Sequence, residues 1–287
     1  MTGFESRINH RMGILSMMGA SLCFSTGGLL IKMIPWNPLA INGARTLIAG
    51  ILIGLFILFT KHKLVFCKTV FVGAICMAGV TTLFTIANKI TTAGNAILLQ
   101  YTAPVWIIIL MILFFQKRPK QIEVITIVIV MIGIGCFFFE SLSSGGLVGD
   151  LFALLSGICY AGVFLINQFE NGDALSSMFF GQLACGLVFS PMVLRETAFD
   201  AQIWCCILFL GTVQVGLAYI LFSFGIKYTD PVTASVINSI EPILNPVLVA
   251  VFYGERLGKL SIAGAVIVIL GIFFYQSKQG QEDVKNE

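Results

Sequence analysis

Charged side chains are scarce in this chain of 287 residues, since Asp, Glu, Lys and Arg together make up only 11% of it. A soluble globular domain carries about 25% charged residues, because its surface must be hydrated. The low value excludes an ordinary soluble domain. Hydrophobic residues make up 57% of the chain. They form successive apolar runs of about 20 residues, the length needed to cross a bilayer. The sequence therefore predicts a polytopic membrane protein.

Motifs that bind metals, nucleotides or a catalytic water are also absent. The two histidines, His10 and His62, flank apolar runs, and the eight cysteines form no CxxC pattern. The cysteines are therefore expected to be buried thiols, and neither a metal nor another cofactor is expected. The chain has no GxxxxGKS or GxxxxGKT phosphate loop, no H-E-x-x-H pair and no Ser/His constellation, which argues against an ATPase and against an enzyme. The net charge of +3 does not indicate nucleic-acid binding.

Charge clusters and Gly/Pro breaks divide the chain into ten predicted membrane helices. The first five span residues 12–33, 38–59, 69–88, 92–115 and 121–139. The second five span residues 149–168, 174–194, 202–226, 231–253 and 260–276. The expected organisation is an N-terminal tail (1–11), a first five-helix repeat (12–139), a linker (140–148), a second five-helix repeat (149–276) and a C-terminal tail (277–287). The expected fold class is all-α and polytopic, with ten transmembrane helices.

Lys and Arg are distributed unevenly between the predicted loops. With the N-terminus in the cytoplasm, eleven of the 17 Lys and Arg residues lie in inner segments, five lie in outer segments, and Arg45 lies within a span. Cytoplasmic loops of membrane proteins carry an excess of positive residues. The bias predicts that both termini are cytoplasmic.

The two halves of the chain resemble each other in sequence. A shift of 138 positions aligns residues 89–138 with 227–276 without a gap and gives 12 identities in 50 positions. The matched pairs include Pro104/Pro242 and, under a shift of 136, Gly13/Gly149. Because each half has five spans, the second copy is expected to be inverted relative to the first. Inverted repeats around a midplane site are a common plan of secondary transporters.

Two predicted spans contain prolines that loosen the backbone. A proline within a helix cannot donate to the carbonyl four residues earlier. Pro242 therefore frees the carbonyl of Asn238, and Pro104 frees that of Gln100. Pro246 similarly frees the carbonyl of Pro242. Lipid cannot satisfy such groups, so both stretches are expected to face an interior cavity.

Polar and aromatic side chains near these prolines form the predicted substrate site. On the ninth helix Asn238, Glu241 and Asn245 recur at three-to-four spacing and share one face. Aromatic rings with a polar edge are suited to lining a cavity. The predicted substrate-binding residues are Glu241, Asn238, Asn245, Gln100, Tyr101, Trp106, Tyr160, Tyr219 and Arg45.

Glu241 and Arg45 are the ionisable residues predicted well inside spans, and each has two interpretations. An ionised carboxylate at mid-depth costs about 2.5–3.5 kcal/mol on insertion scales, so a membrane-embedded acid is either functional or paired. Glu241 either binds a cationic group of the cargo or the coupling proton, or it is a fixed glutamate that is hydrogen-bonded or ion-paired, with Arg45 as the first expected partner. Arg45 is either an anchor for a cargo carboxylate or an ion-paired or snorkelling side chain, and the second interpretation is favoured.

Several short motifs together are typical of one family. They are residues 13–24 with 149–160, Arg45, YTAP at 101–104, IEP at 240–242 and GER at 254–256. With these motifs the chain resembles the EamA-type members of the drug/metabolite transporter superfamily, which have two five-helix repeats. The resemblance implies transport of small metabolites across the bacterial inner membrane, often outward. Phe24 and Tyr160 stand where the family often has tryptophan, so indole contacts are not expected there.

The resulting prediction is a secondary transporter, and specifically an exporter of small polar metabolites, that works by alternating access. Amino acids are the cargo implied by the resemblance, and Glu241 is the candidate for proton coupling. The alternatives are a lipid or lipid-linked metabolite flippase of the same superfamily and an uptake carrier for a quaternary ammonium such as choline. The expected partners are a small-molecule substrate and the lipid bilayer, without nucleic acid, and the chain is expected to act as a monomer or homodimer.

Overall fold

The computed structural model describes residues 3–91, 93–141 and 147–253 and, beyond them, residues 259–260, 262–264, 266–267, 270–271, 274 and 278. Over these residues the chain is all-α and contains no β-strand, as predicted. The α-helices are α1 Gly3–Phe24, α2 Gly27–Met33, α3 Pro38–Thr60, α4 Lys68–Ile90, α5 Ala93–Gln100, α6 Ala103–Phe115, α7 Gln121–Ser141, α8 Leu147–Leu165, α9 Ala174–Phe189, α10 Ala201–Phe209, α11 Ala218–Tyr228, α12 Pro231–Asn238 and α13 Glu241–Tyr253. Short 3₁₀-helices cover Ile166–Gln168 and Ser190–Arg195, and a π-helix covers Leu210–Leu217.

Six helical stretches of the described chain are long and apolar enough to cross a membrane. They are Asn9–Met33, Pro38–Thr60, Lys68–Ile90, Val148–Gln168, Ala174–Arg195 and Ala201–Tyr228. They correspond to the first, second, third, sixth, seventh and eighth predicted spans. The fifth predicted span coincides with α7, of which Gln121–Gly133 is counted as a shorter apolar helix. The tenth, 260–276, lies largely outside the described residues, and the described positions within it are helical.

The fourth and ninth predicted spans are each interrupted. The fourth span consists of α5 and α6, with a break at Tyr101 and Thr102. The ninth span consists of α12 and α13, with a break at Ser239 and Ile240. A proline stands within the first two residues of each following helix. Proline is tolerated there because the first N–H groups of a helix lack an intrahelical partner, whereas in a helix interior it breaks the hydrogen-bond ladder. The prolines therefore divide each span into two half-helices.

The first helix begins earlier than predicted. Helix α1 begins at Gly3, so it extends from the predicted span 12–33 into the predicted tail 1–11. His10 lies on this extension, and its Nδ1 is 3.3 Å from the carbonyl oxygen of Tyr228 at the end of α11. At His10 the extension is therefore in contact with the end of α11.

Two antiparallel helix pairs pack closely through glycine. A Cβ atom added to Gly13 of α1 would lie 3.1 Å from Cγ2 of Thr229, which follows α11. A Cβ atom added to Gly149 of α8 would lie 2.8 Å from Cβ of Thr91, which follows α4. Small residues let membrane helices approach closely. The two contacts join residues that the sequence repeat pairs, since Gly13 matches Gly149 and Thr91 matches Thr229.

Apolar side chains dominate the described surface, while several polar ones lie inside. Leu58 and Phe71 are 73% and 68% exposed, whereas Asn42, Arg45 and Gln214 are buried. This distribution suits a protein whose outer surface faces lipid and whose interior contains a polar site.

Candidate functional site

The interruption between α12 and α13 leaves the main-chain carbonyl of Asn238 without a helical partner, because Pro242 has no N–H to donate. This carbonyl accepts a hydrogen bond of 2.8 Å from the hydroxyl of Tyr101. Tyr101 itself lies in the interruption between α5 and α6. The two breaks therefore meet inside the molecule, and a side chain from one satisfies the backbone of the other.

Glu241 is the first residue of α13 and is only 5% exposed. Its Oε2 accepts a hydrogen bond of 2.6 Å from the hydroxyl of Tyr101. Among the described side chains, Tyr101 is the one that donates to this carboxyl group. A carboxylate at a helix N-terminus is also favoured by the helix dipole. The carboxyl group is thus buried, and the described structure stabilises its ionised form through one side-chain donor and the helix dipole.

The amide of Asn238 connects four parts of the structure. Its Nδ2 donates to the hydroxyls of Tyr101 and Tyr160, both at 2.7 Å. Its Oδ1 accepts from the hydroxyl of Ser21 at 2.8 Å. These contacts bring α1, α8 and the break between α5 and α6 to the end of α12, so the amide fixes the position of the break beside Glu241.

Arg45 of α3 is 1% exposed and is held by neutral partners. Its guanidinium donates to Oε1 of Gln214 at 3.1 Å and, through Nη2, to Oγ1 of Thr85 at 2.6 Å and the carbonyl oxygen of Thr81 at 3.1 Å. Its Nε is buried without a hydrogen-bond partner. Within the described chain Arg45 forms no ion pair, and its burial rules out snorkelling to the interface, so the favoured interpretation of Arg45 is not what the structure shows.

Gln214 reaches Arg45 from the π-helix Leu210–Leu217. Such helices are rare and frequently occur at functional sites. A Cβ atom added to Gly27 would lie 2.7 Å from Nε2 of Gln214, so the glycine that begins α2 provides room for the amide. Gln214 was not among the predicted site residues, although an amide within the apolar stretch 202–226 was a signal that could have identified it.

Arg45 and Glu241 line the same small cavity. Its volume is about 20 Å³, which is room for about one water molecule. Of the predicted site residues, the cavity brings together Arg45, Gln100, Tyr160, Tyr219 and Glu241. It also includes residues that the site prediction did not contain, namely Phe24, Val80, Thr81, Phe84, Gln214 and Val215. The site therefore has one basic and one acidic side chain on the wall of the same small cavity.

The remaining predicted site residues lie elsewhere. Tyr101 and Asn238 bind Glu241 or its neighbours without lining the cavity. Trp106 donates to Oγ1 of Thr102 at 3.2 Å, one turn earlier in the chain. Asn245 packs against α2, where a Cβ atom added to Gly28 would lie 2.4 Å from its Oδ1. The structure therefore does not bring Trp106 or Asn245 to the cavity, and the side chain of Pro246 lies outside the described residues.

A polar loop contact lies at one end of the helices. Nε2 of His62 is 2.9 Å from Oδ2 of Asp173, and the same carboxylate caps α9 by accepting from the N–H of Ser176 at 2.8 Å. Burial raises the pKa of Asp173, but the hydrogen bonds from Ser176 and His62 outweigh it and lower the pKa below its ordinary value. The contact joins the loop after α3 to the loop before α9.

A second loop contact lies at the opposite end of α3. Nε1 of Trp36 donates to the carbonyl oxygen of Ala198 at 2.7 Å, and the N–H of Asn37 donates to Oε1 of Glu196 at 2.9 Å. The ring of Trp36 also packs edge-to-face on Phe199 at a centroid distance of 5.6 Å. In the described structure, both ends of α3 are therefore joined to the loops that flank α9 and its 3₁₀ extension.

Sequence comparison matches the EamA-like transporter family twice, over residues 11–139 and 147–276. The chain belongs to the EamA-like transporter family. This confirms the resemblance predicted from its motifs, and membership indicates a membrane transporter rather than an enzyme. The two matched segments cover almost all of the chain.

Relatives of this EamA-like protein include transporters of both unknown and named cargo. The uncharacterized transporter YwfM of Bacillus subtilis (strain 168) is 26% identical over 280 residues, which cover 90% of this chain and 91% of YwfM. The threonine/homoserine exporter RhtA of Salmonella typhimurium is 26% identical over 201 residues, which cover 67% of this chain and 65% of RhtA. A protein of known crystal structure matches the fold with a TM-score of 0.75 at 17% identity, over 92% of this chain and 98% of its own.

Proposed function

We propose that the chain is a secondary transporter of ten spans, in which 12–139 and 149–276 form two inverted five-helix repeats. The double family match supports this division. The reciprocal contacts of Gly13 with Thr229 and of Gly149 with Thr91 also support it, because two repeats related by a pseudo-two-fold axis make each contact twice.

The proposed cargo is a small zwitterionic metabolite, with amino acids as the expected class. One observation carries this proposal: buried Arg45 and buried Glu241 line one cavity, and Arg45 is bonded there to the neutral Gln214. Burying a charge is costly unless it is paired. A zwitterion compensates both groups, since its carboxylate pairs with Arg45 and its ammonium pairs with Glu241.

Export by alternating access is proposed as the mode of transport. A cavity of about 20 Å³ is far smaller than an amino acid, so helices must separate before cargo enters. The broken helices α5–α6 and α12–α13 are suited to this movement, because discontinuous helices at repeat interfaces form the binding sites of many transporters. RhtA, a relative that covers two thirds of the chain, is an exporter of threonine and homoserine, which supports an outward direction and an amino-acid cargo.

The cargo class is tested by counterflow into proteoliposomes that contain the purified protein. Labelled amino acids, labelled choline and a labelled phospholipid are compared as substrates. Uptake of amino acids that requires unlabelled amino acid inside the vesicle supports the proposal. Movement of the phospholipid alone would instead assign a flippase, and movement of choline alone would assign a quaternary-ammonium carrier.

The role of Glu241 is tested with Glu241→Gln, which keeps the side-chain shape and removes the charge. We expect this variant to lose proton-driven flux in vesicles. Glu170→Gln is the matched control, because Glu170 is an exposed loop residue. Wild-type uptake with an unchanged pH dependence in Glu241→Gln would contradict the functional role of this acid.

The proposed location is the bacterial inner membrane with both termini in the cytoplasm. The excess of Lys and Arg in the predicted inner segments supports this orientation. A reporter that is active only in the cytoplasm, fused after Glu287, is expected to be active. If instead only a reporter that is active outside the cytoplasm were active at this position, the C-terminus would be assigned to the opposite side of the membrane.

A further inference from the structure

We propose that Tyr101 distributes its single hydroxyl proton between Glu241 and the main-chain carbonyl of Asn238, and thereby couples protonation of Glu241 to closure of the break between α12 and α13. The inference rests on the proposed function, in which proton-driven flux requires Glu241, and it takes Glu241 to be the group that exchanges the proton. It adds the residue through which that exchange reaches the helix that moves.

Three hydrogen-bonding groups surround the hydroxyl oxygen of Tyr101. Oε2 of Glu241 lies at 2.6 Å, the carbonyl oxygen of Asn238 lies at 2.8 Å, and Nδ2 of Asn238 lies at 2.7 Å. A tyrosine hydroxyl has one proton to donate and two lone pairs to accept with. The amide N–H of Asn238 occupies one lone pair, so two acceptors compete for one proton.

Ionised Glu241 receives this proton. Hydrogen bonds to a charged acceptor are shorter and stronger than those between neutral groups, so the hydroxyl of Tyr101 donates to the carboxylate. The carbonyl of Asn238 then has no donor, because Pro242 occupies the position whose N–H would serve it in a continuous helix. In this protonation state the break lacks a hydrogen bond that a buried carbonyl requires.

Protonated Glu241 reverses the arrangement. One proton from water is added to the carboxylate, and the new carboxyl O–H donates to the free lone pair of the Tyr101 oxygen. The hydroxyl proton of Tyr101 then turns to the carbonyl of Asn238. Every group at the break is now satisfied, and no proton other than the added one has been gained. Protonation therefore stabilises the closed break, and deprotonation loosens it.

The other ionisable groups around Glu241 are engaged differently. Arg45 from α3 lines the same cavity but donates to Gln214. Tyr160 from α8 accepts from the amide of Asn238. Tyr219 from α11 lines the cavity. In the described part of the structure none of the three donates to Glu241, which leaves Tyr101 as the contact that responds to its charge.

The corresponding position in the first half does not contain this arrangement. The carbonyl of Gln100, freed by Pro104, lies against α8, where a Cβ atom added to Gly157 would be only 2.8 Å away. The sequence repeat places Ala103 at the position of Glu241. The proposed coupling therefore occurs only at the break between α12 and α13, with Tyr101 contributed by the first half, and it provides a single proton site.

The test compares Tyr101→Phe with Tyr160→Phe in proteoliposomes. Each loses one tyrosine hydroxyl next to Asn238, but only the first loses the donor to Glu241. Cargo flux is measured across a series of pH values and expressed relative to the maximum of each variant. We expect the pH dependence to be lost in Tyr101→Phe and kept in Tyr160→Phe. A wild-type pH profile in Tyr101→Phe would overturn the inference.

A second variant keeps the test decisive if Tyr101→Phe does not fold. Pro242→Ala restores an N–H that can donate to the carbonyl of Asn238, so the break no longer needs the tyrosine proton. We expect this variant to fold, to keep the bond between Tyr101 and Glu241, and to lose the pH dependence. If Tyr101→Phe and Pro242→Ala retain it while Glu241→Gln abolishes flux, the inference fails and the proposed function stands. If Glu241→Gln is like the wild type, the proposed function itself fails.

Discussion

Arg45 donates a hydrogen bond to Gln214 at 3.1 Å, and this neutral partner leaves its positive charge uncompensated. The unpartnered Nε of the same guanidinium is a further donor that the described residues do not satisfy. An arginine that is buried in this way is costly to maintain. A ligand carboxylate that entered the adjoining cavity would relieve this cost.

Arg45→Gln is expected to weaken transport of cargo that carries a carboxylate. A hydrogen bond to a charged group contributes about 1.5–3 kcal/mol. This corresponds to a loss of roughly 10- to 150-fold in apparent affinity. The measurement is the concentration dependence of counterflow for an amino acid and for the amine that lacks its carboxylate. Arg195→Gln is the control, because Arg195 is exposed. An equal effect of Arg45→Gln on the amine would argue against the carboxylate anchor.

Gly43→Ala is expected to destabilise the protein. The added Cβ would lie 2.3 Å from the carbonyl carbon of Phe189 and 2.4 Å from the nitrogen of Ser190, which are backbone atoms at the end of α9. Overpacking of this kind costs about 1–3 kcal/mol or more. Gly135→Ala is the matched control, since its Cβ would have no described atom within 4 Å. Thermal unfolding in detergent compares the two, and equal midpoints would contradict the close packing of α3 on α9.

Gly13→Val and Gly149→Val are expected to destabilise the protein to a similar extent. Even a single Cβ atom added at either glycine would lie within about 3 Å of a residue at a neighbouring helix end, which is Thr229 for Gly13 and Thr91 for Gly149. The larger valine side chain must therefore displace these neighbours. Because the two sites occupy corresponding places in the proposed repeats, their unfolding midpoints should fall together. A large decrease in the unfolding midpoint for one variant, with little change for the other, would show that the two helix pairs are not equivalent.

Asp173→Asn is expected to destabilise the protein near neutral pH. The pKa of Asp173 is lowered in the fold, so its stabilising contribution is complete above the ordinary aspartate value of about 3.9 and is lost as the pH falls through the folded-state value. The contribution of a partly exposed pair with His62 is about 0.2–1 kcal/mol. The difference in unfolding midpoint between variant and wild type should therefore shrink on acidification.

Asp200→Asn provides the control for the charge at Asp173. Asp200 also caps a helix, by accepting from the N–H of Ile203 at 2.9 Å, and asparagine is an equally good cap. We expect little change in this variant at any pH. A pH-independent loss in Asp173→Asn would mean that the substitution acts through packing rather than through the charge.

The prolines were predicted to loosen the helices, and two of the three lie next to breaks, but the pattern did not predict the side chains that meet there. Pro104 and Pro242 are each the second residue of the helix that follows an interruption, whereas position 246 lies within the continuous helix α13. The donor to the freed carbonyl of Asn238 is Tyr101, which comes from the other half of the chain. Such a long-range contact depends on how the half-helices are rotated and tilted against each other, which local sequence does not specify.

Asn245 shows why helical periodicity can assign a residue to the wrong face. Three-to-four spacing identifies one face only along a continuous helix. Asn245 follows the break at Ser239 and Ile240. The break changes the direction of the residues after it, so Asn245 does not share with Asn238 the face that a continuous helix would give them.

By itself, the sequence determined that this chain is a membrane protein, at which positions its helices are loosened by proline, and to which family it belongs. Composition, proline chemistry and motifs can be read from the sequence without knowledge of the tertiary structure. The tertiary structure alone decided that Arg45 turns to Gln214 rather than to an acid, and that one tyrosine hydroxyl serves both a carboxylate and a broken backbone. Those outcomes depend on the mutual orientation of distant helices. That orientation is set by packing across the whole bundle.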